Sequence, residues 1–368
     1  MGWKLDLRGF GNLGSLPREE IDNLAKALNF QGLWDFAWWV YQEVNFSPRI
    51  SGHCLPTLRT DCTDFLFFSR EFALFAVDFS STMRNPKEPT FISLNKDLCM
   101  LLAAVIDVEA LEDGVLSAAT GRLVHGLWFR RWKACDATVA ERLHAAAGPQ
   151  PFTLSPLLDL PRPQRGKITI RAGQRAWFRV TALTADLAVR TAEAWLPQLP
   201  ATLRLGQIPW RIAHATVDAG AHPWAGWEDA QALAERCLMG EAPANSWSFE
   251  FLTPTTFHGD AGHLPFPLPY ALLGSWLRRW EVFGPVPLPE DLIEAARRGL
   301  VISAYQLKTV PVRNQQRLLI GCVGELRLRA LDLEPLERAA VDLLAHYAFW
   351  AGSGHHTPQG LGLTRLRA

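Results

Sequence analysis

Leu101-Leu-Ala-Ala-Val-Ile-Asp-Val108 is an apolar run of strand length, and the elements after it set the fold. Gly121 to His144 has helical periodicity, with a break between Lys133 and Asp136. Phe152 to Leu158 and Trp177 to Leu183 read as strands, and Lys167 to Arg171 as a hairpin strand between them. Asp186 to Leu199 is helical again, and Arg211 to Val217 closes the set. The order is β-α-β-β-α-β, the split β-α-β unit of ferredoxin-like folds.

Beyond Val217, Pro223 to Ala244 reads as a connecting stretch with a short helix, and the pattern then repeats. The second copy has a strand at Ser246 to Leu252 and helices at Pro269 to Trp280 and Pro289 to Arg298. Strands at Val301 to Val310 and Leu318 to Leu328 come next, then a helix at Glu334 to Phe349 and a strand-like end at Leu361 to Leu366. The expected fold is α+β: tandem ferredoxin-like (RRM-like) domains at 98–222 and 245–368, the second with a C-terminal glycine-rich loop. Residues 1–97 form an N-terminal extension with an aromatic helical candidate, Leu33-Trp-Asp-Phe-Ala-Trp-Trp-Val40, and strand candidates from Phe65 to Phe79. No chemistry is assigned to that extension.

The loop is Ala351-Gly-Ser-Gly-His-His-Thr-Pro-Gln-Gly-Leu-Gly-Leu-Thr-Arg365. Gly352, Gly354, Gly360 and Gly362 allow a backbone with φ > 0 that approaches a ligand closely. Its N–H groups are expected to cradle an anion, phosphate above all. A dinucleotide fingerprint is excluded, because no strand precedes Gly352 and no acidic ribose partner comes after it. A Walker loop is excluded as well, since no Gly-Lys-Ser/Thr is present.

Formal charge is zero, but its distribution is uneven. Pro161 to Thr184 holds Arg162, Arg165, Lys167, Arg171, Arg175 and Arg179 with no acid. Arg297 to Arg329 sets basic residues including Arg317 against the single acid Glu325. Such segments can neutralise phosphates locally. The scattered cysteines suit a reducing cytoplasm rather than a disulfide frame. His53, Cys54 and Cys62 offer half a zinc site without an evident second half, and His258, Asp260 and His263 are a metal-like set by composition only. No metal or other cofactor is expected, and no signal peptide or membrane-spanning run is seen.

Several motifs occur in a fixed order: Leu123-Val-His-Gly-Leu-Trp-Phe129, Val139-Ala-Glu-Arg-Leu-His144, Pro151-Phe-Thr-Leu-Ser-Pro156, Phe249-Glu-Phe-Leu-Thr-Pro-Thr-Thr-Phe257, Pro265 to Trp280, and the glycine loop. From about Leu101 to the C-terminus the chain resembles the CRISPR-associated endoribonucleases that cut precursor CRISPR RNA within its repeats, the sixth Cas family of the RAMP superfamily. The resemblance implies CRISPR repeat RNA as the partner, with other Cas proteins of an interference complex downstream. It also implies cleavage by a ribose 2′-hydroxyl, leaving a 2′,3′-cyclic phosphate (or 3′-phosphate) and a 5′-OH. The alternative is a catalytically silent RNA-binding subunit of a CRISPR ribonucleoprotein. No RNP-type aromatic sequence marks the sheets, so RNA is expected in the inter-domain cleft.

That chemistry needs a base, an acid and positive charge, and histidine suits either proton role. The resemblance points to His144, since a Leu-His at the end of this helical region supplies the catalytic histidine in several members. A histidine there also suits the negative end of a helix. His125 is the second candidate, as catalytic partner or as core residue. Two positions depart from the family: Phe129 stands where some relatives have tyrosine, and Gln150 falls near their lysine. Arg130, Arg131 and Lys133 are expected to reach the scissile phosphate. Gly352, Gly354, His355, His356, Gly360, Gly362, Arg175 and Arg317 are expected to bind RNA. Replacing Gly354 or Gly360 by valine is expected to weaken RNA binding with little loss of stability.

Overall fold

The computed structural model describes residues 99–240, 243–259, 262–314 and 317–367. The helix and strands read in residues 1–97 lie outside the described residues.

β1 (Met100–Ala110) is buried on both faces from Met100 to Ile106, which fits the unbroken apolar sequence there. Leu102, Ala104 and Ile106 enter one core, while Leu101 and Ala103 enter another. The strand is therefore a shared wall. Around it runs an antiparallel sheet in the order β3 (Phe152–Leu154), β5 (Arg175–Ala182), β1, β7 (Ile208–Thr216), β6 (Thr202–Leu205). α1 (Gly121–Cys135) and α2 (Ala137–Ala145) cover it, with α3 (Ala185–Arg190), which runs on into a π-helical turn at Thr191–Trp195. Val124, Leu127, Trp128 and Trp132 form the buried stripe of α1, at the spacing an amphipathic helix requires.

The break read between Lys133 and Asp136 falls at Asp136. Its carboxylate accepts from Thr138 N and Val139 N at 3.1 and 3.2 Å and caps α2. Several elements differ from the sequence reading. Lys167–Ile170 (β4) pairs with β2 (Gly114–Ser117) in a separate ribbon rather than with its neighbours in the main sheet. β6 was not expected from the sequence at all. Within the stretch read as a connection, β8 (Gly226–Asp229) pairs with Met100–Ala103 of β1 before α4 (Ala230–Leu238) begins.

The second unit repeats the topology. β12 (Leu300–Asn314), β13 (Arg317–Ala330), β9 (Ser246–Thr255) and β14 (Thr364–Arg367) lie in that order, all antiparallel. With β6 and β8 set aside, the four main strands of each unit, in order of appearance, stand second, third, first, fourth across the sheet, the ferredoxin-like arrangement twice over. α5 (Pro269–Phe283), α6 (Leu292–Gly299) and α7 (Pro335–Ala351) complete it, with a small hairpin of β10 (Phe257–Gly259) and β11 (Gly262–Leu264). Trp276, Trp280 and Tyr347 are buried in its core.

Candidate active site

His125 and Phe129 stand one turn apart on α1, so both project from the same face. Their ring centroids are 4.9 Å apart. His144, in the last turn of α2, also meets the Phe129 ring, edge-on at 5.7 Å. The bend at Asp136 folds α2 back and brings the two histidines to one aromatic ring. His144 is exposed and His125 half-buried. Burial, with the positive neighbours His144 and Arg122, holds the His125 imidazole below its ordinary pKa, so its neutral form is favoured at neutral pH. Arg122 went unremarked in the sequence, although its place one turn before His125 puts it on that face.

The segment after α2 forms one wall of a cleft between the two units: Gly148, Pro149 and Gln150 face Arg278, His355, His356, Pro358 and Gln359. Gln150 donates to the Ala146 carbonyl at 3.1 Å. The opposite wall is the glycine loop, whose internal bonding revises the anion-cradle expectation. Gly352 N donates to Ala348 O, Ser353 N to Gly362 O, Gly354 N to Ser275 Oγ, His355 N to Thr256 O, and Gly362 N to Pro254 O. These groups close the loop on its own scaffold. Trp276 Nε1 adds a 2.9 Å bond to Ser353 Oγ, which also receives Thr364 Oγ1.

The glycines are packing positions. A Cβ at Gly354 would stand 2.2 Å from Thr256 O, one at Gly362 2.0 Å from Ser353 O, and one at Gly360 2.8 Å from the Cα of Gly121. Arg279 serves the same scaffold. It donates to Thr357 Oγ1 at 2.7 Å and Ser275 O at 3.1 Å, and burial lowers its pKa to about 10. These approaches run against the expectation of little stability loss on Gly→Val, because a new side chain would meet backbone.

Other candidates are dispersed. Arg130 and Arg131 line a different recess with Leu123, Leu127, Leu203 and Arg204, and Arg131 donates to the Gln198 carbonyl. This is the helix face opposite His125, so the expected reach of the two arginines to a phosphate at His144 is not met. Lys133 is exposed and continues the His125–Phe129 row by another turn. Arg175 is exposed at the start of β5, 3.9 Å from Glu109, and is not part of the cleft. Arg317 opens β13, and its side chain lies outside the described residues.

His355 packs on His258 with centroids 3.6 Å apart. Burial first, then the positive neighbours His258, Arg278, His356 and Arg279, lower its pKa to about 4. The unfolded chain takes up this proton near pH 6.5 and the folded chain only near 4. Stability is therefore lost as pH falls through that window and is unaffected above it. A His355→Gln protein is expected to show a shallower fall in Tm between pH 6.5 and 4. An unchanged acid limb in thermal melts would contradict the assignment.

Family models described as CRISPR Cas6 N-terminal domain and CRISPR-associated endoribonuclease Cas6 match residues 101–235 and 249–364. Among solved structures, a Cas6 product complex is 28% identical, covering 73% of this chain and 100% of that one, with TM-score 0.61. A Thermus thermophilus Cas6 is 26% identical over 73% of this chain and 98% of its own, with TM-score 0.57. A Cas6 substrate mimic complex is 26% identical over 73% and 100%, with TM-score 0.56. No curated protein matches the sequence. No helix among the described residues is long and apolar enough to cross a membrane.

Proposed function

The chain belongs to the CRISPR-associated endoribonuclease Cas6 family, and on that premise we propose that it binds a CRISPR repeat and cuts precursor CRISPR RNA without a metal in the reaction. The observation that carries this reading is the row His125, Phe129, His144 beside a cleft between two ferredoxin-like units. RNA lies along the cleft, with Arg278, His355 and His356 on one wall. A neutral His125 takes the proton of the ribose 2′-OH, and the 2′-oxygen attacks the adjacent phosphorus. The bond from phosphorus to the 5′-oxygen breaks, and His144 protonates the leaving oxygen. The products carry a 2′,3′-cyclic phosphate and a 5′-OH. Arg122 and Lys133, on the His125 face of α1, supply charge for the phosphoryl oxygens. The processed RNA then passes to other Cas proteins of an interference complex in the cytoplasm.

Purified protein is expected to cut repeat RNA at one position in excess EDTA and to leave an all-deoxy analogue intact. Loss of cutting on chelation by protein that a thermal melt shows to remain folded, or equal cutting of the deoxy strand, refutes the mechanism.

A second reading, an RNA-binding subunit without activity, is favoured by one observation. Phe129 places no hydroxyl between the two histidines, and Gln150 places no ammonium in the cleft. Wild-type protein that binds repeat RNA tightly and never cuts it supports this reading over the first.

A further inference from the structure

Away from the cleft, Cys237 near the end of α4 faces Asp342 and His346 on α7. Their thiol, carboxylate and imidazole donor atoms all lie within 4.8 Å of one another. Asp342 and His346 are one helical turn apart and so project together. We infer that Cys237, Asp342 and His346 form a structural zinc site that ties α4 to α7.

The donor set selects the ion. One sulfur, one nitrogen and one carboxylate oxygen suit Zn²⁺, whereas Ca²⁺ and Mg²⁺ take oxygen ligands. Bonds of about 2.0–2.3 Å in a tetrahedron place ligand atoms roughly 3.3–3.8 Å apart. From a spacing within 4.8 Å, closure on the ion draws the donor atoms together by at most about 1–1.5 Å. Charge also balances: a divalent ion meets a thiolate, a carboxylate and a neutral imidazole. Cys237 is 4% exposed, so a neutral assembly matters there. A water fills the fourth position.

The surroundings already hold the ligands in place. Trp247 Nε1 donates to Asp342 Oδ1 at 2.7 Å, which orients the carboxylate and leaves Oδ2 for an ion. Beside Cys237, Arg236 is paired with Glu228 at 2.6 Å. The connectivity gives the site a purpose. α4 directly follows β8, which pairs with β1 in the first sheet. α7 belongs to the second unit and ends at Gly352, where the glycine loop starts. An ion bridging α4 and α7 thus links the first sheet to the helix that carries one wall of the cleft. It takes no part in cleavage, so chelation should lower Tm while cutting in EDTA continues.

The test is a cobalt titration of the full-length chain carrying Cys54→Ser and Cys62→Ser, which removes the two cysteines nearest His53 in sequence. One equivalent of Co²⁺ should bind, with a thiolate-to-cobalt charge-transfer band that Zn²⁺ displaces. Cys237→Ser should abolish the band. Asp342→Asn, which retains the acceptor for Trp247, should weaken binding at least about tenfold, as ligand-shell losses do. Zinc should raise Tm in the parent and not in Cys237→Ser. If Cys237→Ser fails to fold, Asp342→Asn and His346→Gln give the same reading. A folded parent with no thiolate band, or a band that survives Cys237→Ser, overturns the proposal.

Discussion

Replacing His144 by alanine should slow cleavage of repeat RNA by roughly 10²- to 10⁴-fold, the contribution of a positioned proton-transfer group, while the RNA stays bound. His144 is exposed, and its ring meets Phe129 edge-on at 5.7 Å, so its loss opens no cavity in the core. Stability should change by only about 0.5 kcal/mol, as for surface positions without a special role. The rate effect is then chemical rather than structural. A second readout comes from His125. Its pKa is held down by burial and by the charge on His144, so removing that charge should raise it. An NMR titration of the His125 ring in the variant is expected to show this shift. Single-turnover kinetics give the decisive measurement. A His144→Ala protein that cuts at the wild-type rate removes His144 from the mechanism and leaves His125 as the candidate.

Both split β-α-β units could be read from the sequence because long strands and helices impose their periods locally. β1, α1, α5 and α7 each carry enough apolar residues to declare a face. The helix break was legible for the same reason, since Asp136 caps the residues immediately after it. β2, β4, β6 and β8 are four residues each. Strands that short show hardly two periods of alternation, and their partners are set by distant chain segments. The site divides likewise. His125 and Phe129 share a helix face by spacing alone, whereas the approach of His144 depends on how α2 folds back. Arg130 and Arg131 were placed by nearness in sequence, which fails on a helix because adjacent residues point in different directions. The trio Cys237, Asp342 and His346 had no local signature, because its cysteine comes from another helix.

In the glycine loop the close approach that the sequence signals is to the protein's own backbone, which makes a valine there costly. Gly354 has φ +75, and a Cβ there meets the Thr256 carbonyl oxygen at 2.2 Å. That oxygen already accepts from His355 N at 2.8 Å. Backbone faces backbone, so no side chain can swing aside. A Gly354→Val protein bears the strain of a left-handed φ at a β-branched residue, about 1–3 kcal/mol. Overpacking in a buried position adds about 1–3 kcal/mol more. Together these approach the whole stability of a marginal domain, about 5–15 kcal/mol. Gly354→Val is therefore expected to lower the denaturation midpoint sharply or to yield insoluble chain, and its RNA binding cannot be read apart from folding. Gly148 is the matched control. It lines the cleft with φ +91, yet a Cβ there meets nothing within 4 Å. Gly148→Ala carries the φ penalty without the collision and should fold. A Gly354→Val chain with a wild-type midpoint in urea would show that the loop can rearrange, and would restore the glycines as a flexible binding segment.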